Sequence, residues 1–159
     1  MIKDLEVQKI DINQPEKIKV AIVQSTYHLE LNENMVEYCK EVLMLNGLSE
    51  ENISVHLAPG TWEVPLLARK AAKSGQYDAI VAFAIILQGD TYHFDMIANE
   101  VARSLMETSV EYLIPVGFEI LAVNKMEEAI ERGSRNSFNK GIEAGNAILH
   151  TLNGLRGIE

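Results

Sequence analysis

The 159-residue chain contains a single cysteine, Cys39. No disulfide can form within it, and no thiolate cluster can hold a metal. Cys39 falls inside a helical pattern, where a free cysteine behaves as a small hydrophobe. Long apolar runs are also missing. The longest, Ala79 to Leu87, has nine residues, far short of the ~20 that a membrane-crossing helix needs. The opening Met1-Ile2-Lys3-Asp4-Leu5-Glu6 lacks the apolar core of a secretory leader, so a cytoplasmic location is expected. Basic charge is scarce, with 14 Lys and Arg against 23 Asp and Glu and a net charge of −9. Without a Lys/Arg stripe, nucleic acids and anionic membrane surfaces are poor partners. No histidine pair has metal-ligand spacing, so no metal is expected. No Gly-Lys-Ser/Thr loop of the Walker type is present, nor any internal repeat, linker or low-complexity segment.

What is there suits one ordinary domain. The hydrophobic fraction is 47% and the charged fraction 23%, and a chain of this length buries enough surface to fold without a staple. Residues 1–17 are polar and broken at Pro15, and read as an N-terminal tail or a strand lent to a neighbouring chain. Residues 18–159 read as a single α/β domain. Short apolar strands are expected at 19–24, 53–58, 78–87 and 112–121. Helical spacing marks 32–48, about 62–74, a segment that follows the 88–91 turn and runs to about 108, about 125–132 and about 136–155. Pro115 puts the last strand at an edge or in an irregular place. Strict alternation predicts βαβ units, hence a three-layer α/β/α architecture with a parallel, flavodoxin-like central sheet. Ligands of such sheets bind beyond the carboxyl ends of the strands. Attention therefore falls on Ser25–His28, Pro59–Glu63, Gln88–His93 and Phe118–Asn124.

At those ends the stretch Ile85-Ile86-Leu87-Gln88-Gly89-Asp90-Thr91-Tyr92-His93 carries the most chemistry. Gly89, Asp90 and Thr91 stand between a buried strand and a helix start, where free N–H groups and the helix dipole favour a phosphate. The competing reading makes Asp90 and Thr91 simple helix caps. His93, in the first helical turn, is placed for proton transfer or is an exposed surface histidine. His28 falls beside the same crevice, whereas His56 and His150 read as structural. Trp62 and Glu63 follow Pro59-Gly60-Thr61. Trp62 offers a stacking face and Glu63 an acceptor for sugar-like hydroxyls, or the pair forms a helix start with the indole in the core. Tyr27 and Phe118 close the other strand ends and either stack on a planar heterocycle or fill the core. Arg132, Lys140 and Glu143 bring charges onto late helices. Most such charges are solvated, yet an anion site needs a cation, and Arg is the better bidentate partner.

The blocks Pro59-Gly60-Thr61-Trp62-Glu63-Val64-Pro65, Gln88-Gly89-Asp90-Thr91-Tyr92-His93-Phe94-Asp95, Ala98-Asn99-Glu100, Pro115-Val116-Gly117-Phe118, Ala129-Ile130-Glu131-Arg132 and Asn139-Lys140-Gly141-Ile142-Glu143-Ala144, in this order and spacing, resemble the lumazine synthase family of riboflavin biosynthesis. The resemblance runs from about Val20 to Leu152. It implies the cofactor-free condensation of 5-amino-6-(D-ribitylamino)uracil with 3,4-dihydroxy-2-butanone 4-phosphate. The products would be 6,7-dimethyl-8-ribityllumazine, phosphate and water. It also implies that Tyr27 stacks on the pyrimidine and that Thr61, Trp62 and Glu63 hold the ribityl chain. Ile85, Ile86 and Leu87 would flank the uracil, and the Phe118 backbone would meet the ring. Gly89, Asp90, Thr91 and Arg132 would bind the phosphate, His93 would transfer protons, and Lys140 and Glu143 would lie nearby. Homo-oligomers built from pentamers are implied, with sites between subunits and Arg132 serving a neighbour. The chain departs from the family pattern at Gln88 (usually Arg), Thr26-Tyr27-His28 (usually Arg-Phe-Asn), Glu119 (usually Gly), Ala122 (usually Thr) and Ser134–Phe138. Two alternatives stand beside the enzyme: a non-catalytic flavin-binding or shell protein, and an unrelated flavodoxin-like nucleotide module.

Overall fold

The computed structural model describes residues 8–158. Among the described residues four strands form a sheet, β1 (Val20–Ser25), β2 (Ile53–Ala58), β3 (Ala79–Leu87) and β4 (Val116–Val123). All pairings are parallel and the order is β2-β1-β3-β4. Five helices connect and cover them: α1 (Leu29–Leu45), α2 (Val64–Ser74), α3 (His93–Tyr112), α4 (Met126–Gly133) and α5 (Lys140–Gly157). This is the expected three-layer arrangement. The central strands β1 and β3 are buried along most of their length, which explains their unbroken apolar sequence. Each strand feeds alternate side chains to two cores. Ile22, Val81, Phe83 and Ile85 pack with α1, α4 and α5. Val23, Ala82, Ala84 and Ile120 pack with α2 and α3.

Three helix boundaries differ from the sequence expectation. Residues 112–115 were expected to open the fourth strand, but α3 runs through Tyr112 and closes on Leu113 in a left-handed conformation (φ 51°). Ser109 O receives the Ile114 N–H at 3.2 Å. Pro115 therefore precedes β4 and removes no ladder bond from it, and β4 is the sheet edge. Helix α1 starts at Leu29, three residues before the expected Asn32. At the other end of the chain, the side chain of Asn139 accepts the Gly141 N–H at 2.8 Å and caps α5. That cap moves the helix start from the expected 136 to 140.

Close approach of α5 to α1 depends on Gly141, where a Cβ would lie 2.0 Å from Met35 O. Of the expected N-terminal tail, residues 1–7 lie outside the described residues. Residues 8–14 lie against the chain's own helices. Ile10 and Ile12 join the α1/α5 core, the Ile10 N–H donates to Asn46 Oδ1 at 2.9 Å, and Asn153 Nδ2 donates to Asp11 O at 2.7 Å.

Candidate active site

The strand order reverses between β1 and β3, and parallel sheets open a crevice at such a point. A pocket of about 1010 Å³ lies there, past the carboxyl ends of β1, β2 and β3. Eight of the residues singled out in the sequence line it: Tyr27, Thr61, Trp62, Glu63, Ile85, Ile86, Leu87 and His93. His28 joins them. Tyr27 and Trp62 are 68% and 58% exposed, so both aromatic faces are open to the pocket rather than sunk in the core. They come from loops that the sheet holds side by side. Thr26 N–H donates to Ala58 O and Thr26 Oγ1 to Pro59 O, each at 2.9 Å. Gly60 lies between Tyr27 and Glu63. A Cβ there would sit 3.1 Å from Glu63 Oε2 and 3.8 Å from Tyr27 Cδ2, so a side chain would crowd the Glu63 carboxylate and touch the Tyr27 ring. Trp62 and Glu63 lie on a single 3₁₀ turn, Thr61–Glu63, that leads into α2.

The turn from Gln88 to Tyr92 follows β3. Gln88 N–H donates to Val123 O at 2.9 Å and ties the ends of β3 and β4 together. Helix α3 then begins at His93 with no side-chain cap. Asp90 and Thr91 are thus not the caps that one reading of the sequence made them. The first-turn amides of a 20-residue helix remain uncapped, which is the arrangement that receives an anion.

Sequence reasoning gave no role to Met96, Ile97, Asn99 and Glu100, which also line the pocket. Met96, Ile97 and Glu100 follow His93 at helical spacing, so extending the 3.6-residue period from His93 would have found them, while Asn99 flanks that face. The Glu100 carboxyl is held below its ordinary range, first by its hydrogen bond to Arg103 and then by the charge of that guanidinium.

The remaining candidates are elsewhere. Phe118 was expected to close a strand end, but it is the third residue of β4, pairing with Ala82. It is 49% exposed and faces a hollow shared with Ala102, Leu105 and Met106 of α3. Arg132, Lys140 and Glu143 line a third hollow, of about 650 Å³, with Phe138 and His150. Arg132 Nη1 donates to Glu128 O at 3.0 Å, and Lys140 pairs with Glu143. Neither hollow shares a lining residue with the strand-end pocket. His56, on β2, bonds to its strand neighbour Ser54 Oγ at 3.2 Å and to Tyr77 Oη, just before β3, at 3.3 Å.

Glu119 stands in β4 opposite Phe83 and is only 8% exposed. Burial pushes its carboxyl up to about 8, the neighbouring Glu143 pushes the same way, and Lys140 opposes.

Residues 17–156 match the family model described as 6,7-dimethyl-8-ribityllumazine synthase. Proteins bearing that name are similar over most of their length. The one from Deinococcus deserti is 38% identical over 141 residues, covering 89% of this chain and 90% of that one. The one from Campylobacter hominis is 37% identical over 137 residues, covering 86% and 88%. The one from Chlorobium chlorochromatii is 35% identical over 136 residues, covering 86% and 88%. With both the model and these relatives matching across the sheet and the strand-end pocket, the chain belongs to the 6,7-dimethyl-8-ribityllumazine synthase family.

Proposed function

We propose that this chain is a lumazine synthase. It condenses 5-amino-6-(D-ribitylamino)uracil with 3,4-dihydroxy-2-butanone 4-phosphate to give 6,7-dimethyl-8-ribityllumazine, phosphate and water in riboflavin biosynthesis. One observation carries the assignment. Two exposed aromatics, a carboxylate, a histidine and an uncapped helix N-terminus converge on one pocket at the strand ends.

The chemistry matches that inventory. A ring amine attacks the ketone and loses water to form an imine. The proton on the carbinol carbon and the phosphate on its neighbour are then lost, the resulting enol tautomerises to a new carbonyl, and the ribitylamino nitrogen closes on that carbonyl with loss of a second water. Each step moves protons, and positioned groups suffice for that. Tyr27 stacks on the pyrimidine, and Ile85, Ile86 and Leu87 form its apolar border. Thr61, Trp62 and Glu63 hold the ribityl chain, with Glu63 accepting its hydroxyl protons. His93 shuttles protons. The Gly89-Asp90-Thr91 turn and the first amides of α3 hold the phosphate, whose leaving needs no cofactor.

Phe118, Arg132 and Lys140 belong to the same site through a second copy of the chain. Arg132 and Lys140 bring positive charge, and none of the three reaches the pocket of its own chain. An exposed apolar stripe along α3 and the turn before it, Tyr92, Met96, Met106, Val110 and Leu113, supports burial against a neighbour, since single soluble chains seldom leave such patches open. A pentamer-based homo-oligomer satisfies both needs. No helix among the described residues is long and apolar enough to cross a membrane, and the cytoplasm is the proposed location.

The test mixes purified protein with both substrates and follows lumazine fluorescence above the spontaneous rate. Acceleration is expected, and a rate equal to the spontaneous one overturns the assignment. Sedimentation tests the shared site, because a monomer at micromolar concentration removes its second half.

A further inference from the structure

The turn between β1 and α1 carries Tyr27 and is held from several directions. His28 adopts a left-handed conformation (φ 53°, ψ 46°) with no side-chain cap of its own, a state that a non-glycine residue keeps only when its surroundings enforce it. The enforcing group is Asn32, one turn into α1 and 0% exposed. Its Nδ2 donates to Ser25 O at 3.0 Å and to Tyr27 O at 2.8 Å, so both amide protons are used. The Asn32 backbone N–H donates to His28 O at 3.1 Å. Tyr27 N–H donates to Ser25 Oγ at 3.1 Å. Asn32 Oδ1 has no partner among the described residues, so the two donated bonds are what this amide contributes.

The position itself is unusual. Asn32 opens the buried stripe of α1 that continues as Met35, Val36, Cys39, Val42 and Leu43. An apolar residue would fit that stripe at no desolvation cost, whereas a buried amide is tolerated only for the bonds it makes. The Tyr27 phenol, by contrast, makes no hydrogen bond among the described residues, and the residue is 68% exposed. The ring is therefore aimed by its backbone, and that backbone is clamped from below by Asn32.

We propose that Asn32 is a positioning residue that aims Tyr27 at the pyrimidine substrate. It lines none of the pockets described above and acts through Tyr27 alone. The proposal rests on the reading of the strand-end pocket as the pyrimidine site. Asn32→Leu keeps the volume and removes both donors. It is expected to raise KM for the ribitylaminouracil about tenfold, the equivalent of ~1.4 kcal/mol. KM for the butanone phosphate and kcat at saturation should stay within about twofold, since losing a positioning bond weakens one substrate's binding uniformly. A purely structural defect lowers the active fraction, and so Vmax, while leaving both KM values alone. Thr26→Val removes the bond to Pro59 O from an exposed side chain. It should shift the same KM in the same direction by a smaller factor, and it decides the matter where Asn32→Leu does not fold. Equal effects on both substrates, or no KM change in either variant, overturn the proposal. Equilibrium binding of 6,7-dimethyl-8-ribityllumazine, read by fluorescence, separates it from the enzymatic assignment. A wild-type protein that binds the lumazine without accelerating its formation sinks the assignment, and weaker binding by Asn32→Leu still supports the clamp.

Discussion

Glu119→Gln should stabilise the protein at alkaline pH and leave it nearly unchanged at acid pH. The carboxyl is buried in β4 and pushed up to about 8, chiefly by loss of water and then by Glu143. Its ordinary value, 4.5, describes the unfolded chain. The folded state therefore binds this proton more tightly than the unfolded state. Stability is full below pH ~4.5, declines as the pH rises, and reaches its floor once the pH passes about 8. The gap is 8 − 4.5, about 3.5 units. At ~1.4 kcal/mol per unit, the whole loss is on the order of 4–5 kcal/mol, of which about 3 kcal/mol has gone by pH 7. A glutamine has nearly the same shape and no charge to desolvate. For a chain of this size 1 kcal/mol moves Tm by ~2–4 °C. The variant should melt roughly 10 °C above the wild type at pH 9 and within ~2 °C of it at pH 5. The assay is a paired thermal melt across pH 5–9 at one protein concentration, so that any assembly affects both proteins alike. A difference in Tm that is the same at both ends of the range would refute the buried, titrating carboxyl.

Other substitutions probe the site and its frame. His93→Ala should slow turnover by about ten- to a hundredfold, at the low end for proton-transfer catalysts, because the condensation also proceeds unaided. A loss beyond ~10⁴-fold in initial rates would show that His93 does more than move protons. Arg132→Ala should raise KM for the butanone phosphate and spare that for the pyrimidine, and an unchanged phosphate KM would remove Arg132 from the anion site. Gly141→Ala drives a Cβ to 2.0 Å from Met35 O. It should cost about 3 kcal/mol or more, read as a lower urea midpoint, since neither helix backbone can yield cheaply. An unchanged midpoint would mean that α1 and α5 are free to slide apart.

How far the sequence could be read depended on the type of signal. Strands β1 and β3 were legible because burial on both faces leaves an unbroken apolar run, and alternation with helices then dictated a parallel sheet. The pocket followed from the rule for strand ends, and Tyr27, Glu63 and His93 were found that way. Tyr112-Leu113-Ile114 failed because a short apolar run serves a helix end as well as a strand start. Phe118 reads as a strand-end residue, whereas β4 continues past it to Val123. Asn32 was misread because asparagine near a helix start suggests a boundary. Its actual partners, Ser25 O and Tyr27 O, become neighbours only when the turn closes. The separation of Arg132 and Lys140 from the strand-end pocket was invisible to spacing, because it depends on where α4 and α5 lie relative to the sheet.

That separation also changes what a defective copy of this chain does to its companions. On the proposed assembly, a lesion at His93 weakens the pocket of the chain that carries it, while a lesion at Arg132 weakens a neighbour's. When two such defective proteins are mixed and allowed to reassemble, about a quarter of the interfaces pair an intact pocket with an intact arginine if assembly is random and head-to-tail. Two impaired preparations would then gain activity on mixing, and a chain carrying both lesions would rescue neither.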